Sequence, residues 1–147
     1  MLLVKTKVME SDIHGKGLFA DEDIAKGSVI WKYAPGTTQR YKLKKFYDLI
    51  EKSEFETAKT LLTYSYVRKG YVYFVKDNTR YINHTEQPNI VFSSNFAEVA
   101  TRDILKGEEL TENYLLSYDT SDFFNLPDLF SANTKEEILE LLGLTYA

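Results

Sequence analysis

Cysteine is absent from all 147 residues, which excludes disulfides, a thiolate nucleophile and any Cys-based zinc or iron–sulfur site. The two histidines, His14 and His84, fall short of the usual three-ligand catalytic zinc unless a carboxylate completes the set, so no metal site is expected. Long apolar runs are missing too. Nothing approaches the ~20 residues that cross a bilayer, and Lys5 and Lys7 interrupt what would be the apolar centre of a signal peptide. Neither a membrane span nor secretion is expected, which leaves an intracellular location. Positive charge is scarce: 18 Lys and Arg stand against 22 Asp and Glu, for a net charge of −4. Nucleic-acid-binding domains carry a basic excess that neutralises phosphates. No nucleic-acid partner is therefore expected, although Lys42, Lys44, Lys45 and Lys52 form one local basic cluster. Linkers and low-complexity tracts are also lacking, so residues 1–147 read as a single domain.

Aromatic residues are plentiful, with 11 Tyr, 9 Phe and one Trp. Most belong in a core; a minority suit the walls of a narrow channel. Residues 28–33 form a β-branched and aromatic run ended by Pro35-Gly36, and residues 71–75, 90–92 and 99–101 read as further short strands. Between them the period changes. Leu43, Phe46, Tyr47 and Ile50, then Phe55, Ala58, Leu61 and Leu62, recur at three-and-four spacing, which predicts a helical insertion over about 40–65. Thr134 followed by Glu137 is a capping pattern ahead of Ile138, Leu139 and Leu142, with Gly143 as a stop, and predicts a short C-terminal helix. An echo pairs residues 23–27 with residues 103–107 and suggests two similar hairpin turns. The fold class is mainly β, an irregular α+β domain.

Three segments stand out chemically. Gly15-Lys16-Gly17-Leu18-Phe19-Ala20 matches the dinucleotide-binding pattern in letters, but the polar stretch after it is no helix and the ribose-binding carboxylate is missing. It reads either as an ordinary turn or as a backbone that lets an anionic ligand approach closely. Residues 80–89, Arg-Tyr-Ile-Asn-His-Thr-Glu-Gln-Pro-Asn, concentrate side-chain amides and an imidazole at a strand end. Polar ligand recognition and an Asx-type turn with a satisfied histidine both fit. Residues 107–114, Gly-Glu-Glu-Leu-Thr-Glu-Asn-Tyr, read as a hairpin that delivers a tyrosine hydroxyl, where a lone tyrosine is more often core.

In this order the three segments resemble the SET-domain protein lysine methyltransferases over about residues 8–118. Thr85 replaces the family's serine, Glu86 stands where cysteine is frequent, and the cysteine-rich flanks of many histone-directed members are missing. The resemblance implies a fold of small β-sheets around a pseudoknot, with the Asn83 and Tyr114 segments side by side and residues 119–147 as a C-terminal segment. It implies S-adenosylmethionine as cofactor, held by His14, Gly15, Lys16, Gly17, Asn83 and His84, with Arg80 as a further contact. Phe123 or Phe124 would cover the adenine, and Phe124 is the assigned residue. Tyr114 matches the catalytic tyrosine, and Tyr33, Phe92 and Tyr73 belong to the substrate channel. Phe74, beside Tyr73, is a further channel candidate. The substrate would be a protein or peptide, of basic character given the acidic chain. The competing reading is a catalytically silent SET-like module that binds a lysine-containing peptide.

Overall fold

The computed structural model describes residues 1–93, 95–118 and 131–144. Its architecture is mixed α+β, made of several small sheets rather than one large one. The chain divides into two compact units, residues 1–38 with 75–117, and residues 39–74 with 118–147.

Among its described residues, the first unit holds four short strand pairings. β1 (Thr6–Glu10) and β2 (Lys16–Ala20) form an antiparallel hairpin in which Val8 faces Leu18. β3 (Val29–Lys32), β9 (Ala97–Ala100) and β8 (Ile90–Phe92) make a three-stranded antiparallel sheet with β9 in the middle. β7 (Asn83–His84) lies parallel to β10 (Thr111–Glu112), with Asn83 opposite Thr111 and His84 opposite Glu112. That parallel pair places the Asn83 segment beside the segment that leads into Tyr114, as the resemblance implies. Leu18, Ile24, Ile30, Ile82, Ile90, Ile104 and Leu110 are buried together as the core.

The echo at 23–27 and 103–107 forms two similar turns that also pair with each other. The two segments bind each other with near twofold symmetry: Ile24 and Ile104 exchange N–H···O bonds of 2.7 and 2.8 Å. Asp103 accepts from the Lys26 amide and Asp23 from the Lys106 amide, each at 2.8 Å. Gly27 and Gly107 close the two turns at φ +85° and +95°, a region that disfavours other residues.

In the second unit the helical spacing is realised as α1 (Leu43–Lys52) and α2 (Phe55–Thr63), which bury Phe46, Ile50, Ala58, Leu61 and Leu62. They are flanked by β4 (Thr38–Lys42) and by the hairpin of β5 (Ser65–Arg68) and β6 (Tyr71–Val75). After the four-residue α3 (Tyr114–Ser117), α4 (Lys135–Leu141) is capped as expected, since Thr134 Oγ1 accepts from the Glu137 amide at 3.2 Å. Glu137 in turn accepts from the Asn133 amide at 2.7 Å, and Ile138 anchors the helix in the core.

Candidate active site

The turn at residues 14–16 is an exposed backbone edge, clamped from behind and followed by the buried Gly17. Gly15 turns at φ +45°, and nothing lies within 4 Å of where its Cβ would stand. The buried Asn83 amide spans the turn: its Nδ2 donates to the His14 carbonyl at 3.1 Å, the Lys16 carbonyl at 3.1 Å and Glu109 Oε1 at 2.9 Å. Ser11 completes the clamp. Its hydroxyl donates to the Glu109 carboxylate at 2.7 and 2.9 Å and accepts from the Ile13 amide at 3.0 Å. Neither Ser11 nor Glu109 received a role from the sequence. They lie 98 residues apart, and only the Gly-Glu-Glu-Leu-Thr element held any sign of the second.

Gly17 is needed here for room. A Cβ on it would come within 2.1 Å of Glu109 Oε1. We expect Gly17→Ala to push the Glu109 carboxylate off Ser11 and Asn83 and to cost about 1–3 kcal/mol, the scale of stranded buried polar groups. Chemical denaturation of the two proteins measures it, and equal stability would contradict the clamp.

Tyr114 stands where β10 ends. Its hydroxyl donates to the Ile82 carbonyl, and its backbone N–H donates to His84 Nδ1 at 3.1 Å, which leaves the imidazole proton on Nε2. The His84 and Tyr114 rings lie 5.2 Å apart. Burial, reinforced by the Glu112 carboxylate, pushes the Tyr114 phenol far above its ordinary value, so it keeps its proton at any physiological pH. Asn89 sets the strand beside it. Its Nδ2 donates to the Glu109 carbonyl at 2.8 Å and its Oδ1 accepts from the Thr111 amide at 2.8 Å. Arg80 sits half-buried in a 3-10 turn, Asn78–Tyr81, capped by Asp77 and leading directly into β7.

Of the residues expected to line a substrate channel, Tyr33 and Phe92 are brought together through Phe96, which the sequence did not single out. Tyr33 meets Phe96 edge-on at 5.7 Å, Phe96 meets Phe92 edge-on at 5.2 Å, and Phe92 meets Trp31 at 5.9 Å. Phe96 takes this place with φ +59°, an unusual conformation for an aromatic residue. Tyr73 belongs to the second unit, where it stacks on Tyr66 at 5.3 Å. Phe123 and Phe124 lie outside the described residues.

Beside this aromatic set are two buried carboxyls, Glu98 on β9 and Glu112 on β10, 4% and 2% exposed. Burial, then the neighbouring Glu112 carboxylate to which it is hydrogen-bonded, pushes Glu98 well above the usual carboxylate range. A group raised in the folded state favours folding most fully below its unfolded value, near 4.5. That contribution is lost as pH climbs toward the folded value. Glu98→Gln removes the titration, so its Tm relative to the parent's should shift in the variant's favour from pH 5 to pH 8. A pH-independent difference would contradict a protonated Glu98.

The family model for the SET domain matches residues 15–115. This chain belongs to the SET-domain family. No curated protein sequence matches it. Among solved structures, the SET fold is shared with a Plasmodium falciparum protein described as a candidate histone methyltransferase. That pair is 21% identical with a TM-score of 0.54, covering 77% of this chain and 95% of that one. It is also shared with ctPRC2 in an autoinhibited conformation bound to S-adenosylmethionine, at 22% identity and a TM-score of 0.58, covering 80% of this chain and 16% of the other. A ctPRC2 complex with trimethylated histone H3 gives 23% identity and a TM-score of 0.58, covering 76% and 14%. The chain thus spans most of the Plasmodium protein and about one-sixth of the ctPRC2 chains. In this SET domain, the Gly15 turn, the Asn83 strand and Tyr114 all belong to the first unit.

Proposed function

We propose that this SET domain transfers a methyl group from S-adenosylmethionine to the ε-amine of a lysine in a protein. The observation that carries the reading is the convergence of the clamped 14–17 turn, the parallel β7–β10 pair and a protonated Tyr114 at the end of that pair. The residues present fit the cofactor. The turn offers exposed backbone at His14, Gly15 and Lys16 with open space over Gly15, so these residues and the buried Gly17 behind them would hold its amino-acid part, with Asn83, His84 and Arg80 completing the site. When bound, the sulfonium supplies an electrophilic methyl carbon. A ctPRC2 structure of the same fold holds this cofactor, which supports the assignment.

A lysine enters as an ammonium with pKa near 10.4, and presenting the neutral amine at pH 7 costs about 4–5 kcal/mol. The rings of Tyr33, Phe92 and Phe96 exclude water, which disfavours the charged form and lowers that cost. The same rings attract a methylated ammonium product by roughly 0.5–2 kcal/mol. Tyr114, unable to ionise, orients the amine through its hydroxyl oxygen and takes no proton. Its Ile82 bond fixes that oxygen in space, which is the main requirement of an in-line transfer. The substrate is a protein segment of basic character, in keeping with the net charge of −4.

Calorimetric titration with S-adenosylmethionine tests the reading. Saturable one-to-one binding is expected. A folded protein that takes up no cofactor yet binds lysine-containing peptides would instead be a silent binding module.

A further inference from the structure

The two buried carboxyls are not explained by the fold. Glu98 is opposite Trp31 on one side and Phe92 on the other in the β3–β9–β8 sheet. Directly opposed residues send their side chains to one face, so the Glu98 carboxyl emerges among the aromatic rings that also reach Tyr33. Its hydrogen-bonding partner Glu112 comes from β10, two residues before Tyr114. The pair therefore joins the aromatic cluster to the site tyrosine. Apolar side chains would fill such a core position at less cost than buried acids. The titratable and charged groups that face the pair are the Met1 ammonium, Asp77 and the neutral Tyr114 phenol. The Met1 ammonium lies 3.5 Å from Asp77 and donates to the Lys32 carbonyl, so it already has partners of its own.

We propose that Glu98 and Glu112 together accept the proton that the substrate lysine must lose, an inference that rests on the methyl-transfer reading above. Glu98 holds one proton and shares it with Glu112, so the pair carries one negative charge. The ammonium gives a proton to the Glu112 carboxylate: the N–H bond breaks, its electron pair stays on nitrogen and an O–H bond forms on Glu112. The pair is then neutral and the amine lone pair is free. Between turnovers the proton returns to solvent. Tyr114 cannot take this role, because it is already protonated and held so by burial.

Two measurements on the full chain decide it. Carbon-13 NMR of glutamate side-chain carboxyls in the protein without cofactor should show one protonated carboxyl at pH 7, titrating well above the other glutamates; a pair fully ionised at pH 7 overturns the proposal. The second measurement is methyl transfer to poly-L-lysine as a function of pH. Glu112→Gln should lower kcat about 10²-fold at pH 7. Its activity should recover only as pH approaches the free amine's value near 10.4. A variant whose pH profile superimposes on the parent's after scaling overturns the proposal. Calorimetry separates the two failures, because cofactor binding should be unchanged in Glu112→Gln. A parent that binds no S-adenosylmethionine refutes the methyl-transfer reading itself, and the inference with it.

Discussion

Tyr114→Phe is expected to bind S-adenosylmethionine as the parent does and to turn over at least about a hundredfold more slowly. The substitution removes one oxygen. That oxygen donates to the Ile82 carbonyl, and in the proposed reaction it is the atom that orients the incoming amine. The ring stays, and with it the packing against His84 and the hydrogen bond that the Tyr114 backbone N–H donates to His84 Nδ1, neither of which involves the hydroxyl. Losing the Ile82 bond costs about 1 kcal/mol of stability, too little to unfold a typical domain. A fall in kcat at constant cofactor affinity is the signature of an interaction that acts in the transition state. Single-turnover kinetics with bound cofactor measures this directly. A variant as fast as the parent would remove Tyr114 from the chemistry.

Asn83→Ala should act in the opposite way, on binding and stability before rate. One amide nitrogen holds the His14 carbonyl, the Lys16 carbonyl and Glu109, and all three lose a donor at once. With the clamp gone, the 14–17 turn must be ordered by the cofactor itself. We expect calorimetric affinity to fall by about 1–3 kcal/mol, or roughly fivefold to more than a hundredfold. The melting temperature should drop as well, since the half-buried Glu109 carboxylate keeps only Ser11 as its side-chain donor among the described residues. Unchanged affinity in a folded Asn83→Ala protein would reduce the segment to a polar turn.

What could be read from the sequence was local in origin. The three-and-four spacing from Leu43 to Leu62 gave two helices because buried faces repeat every turn, and Thr134 capped its helix because the capping pattern lies within four residues. The three motifs were legible for the same reason. Long-range partnerships left no mark. Ser11 gains its role only from Glu109, and Glu98 only from Glu112 and the rings across its strand; alone in a short strand, a glutamate reads as solvent-facing. β4 and β5, at the two edges of the helical insertion, are not legible as strands, because at five and four residues beside strong helical patterns they carry little alternation of their own. Phe96 escaped notice because its position depends on a positive φ that its residue type disfavours.

The most direct test is to incubate the purified protein with methyl-labelled S-adenosylmethionine and a lysine-rich protein mixture, then locate the label by mass spectrometry. Label on lysine ε-amines, lost when Tyr114 is replaced by phenylalanine, is the predicted result. Saturable cofactor binding with no label on any lysine, or label that persists unchanged in Tyr114→Phe, would contradict it.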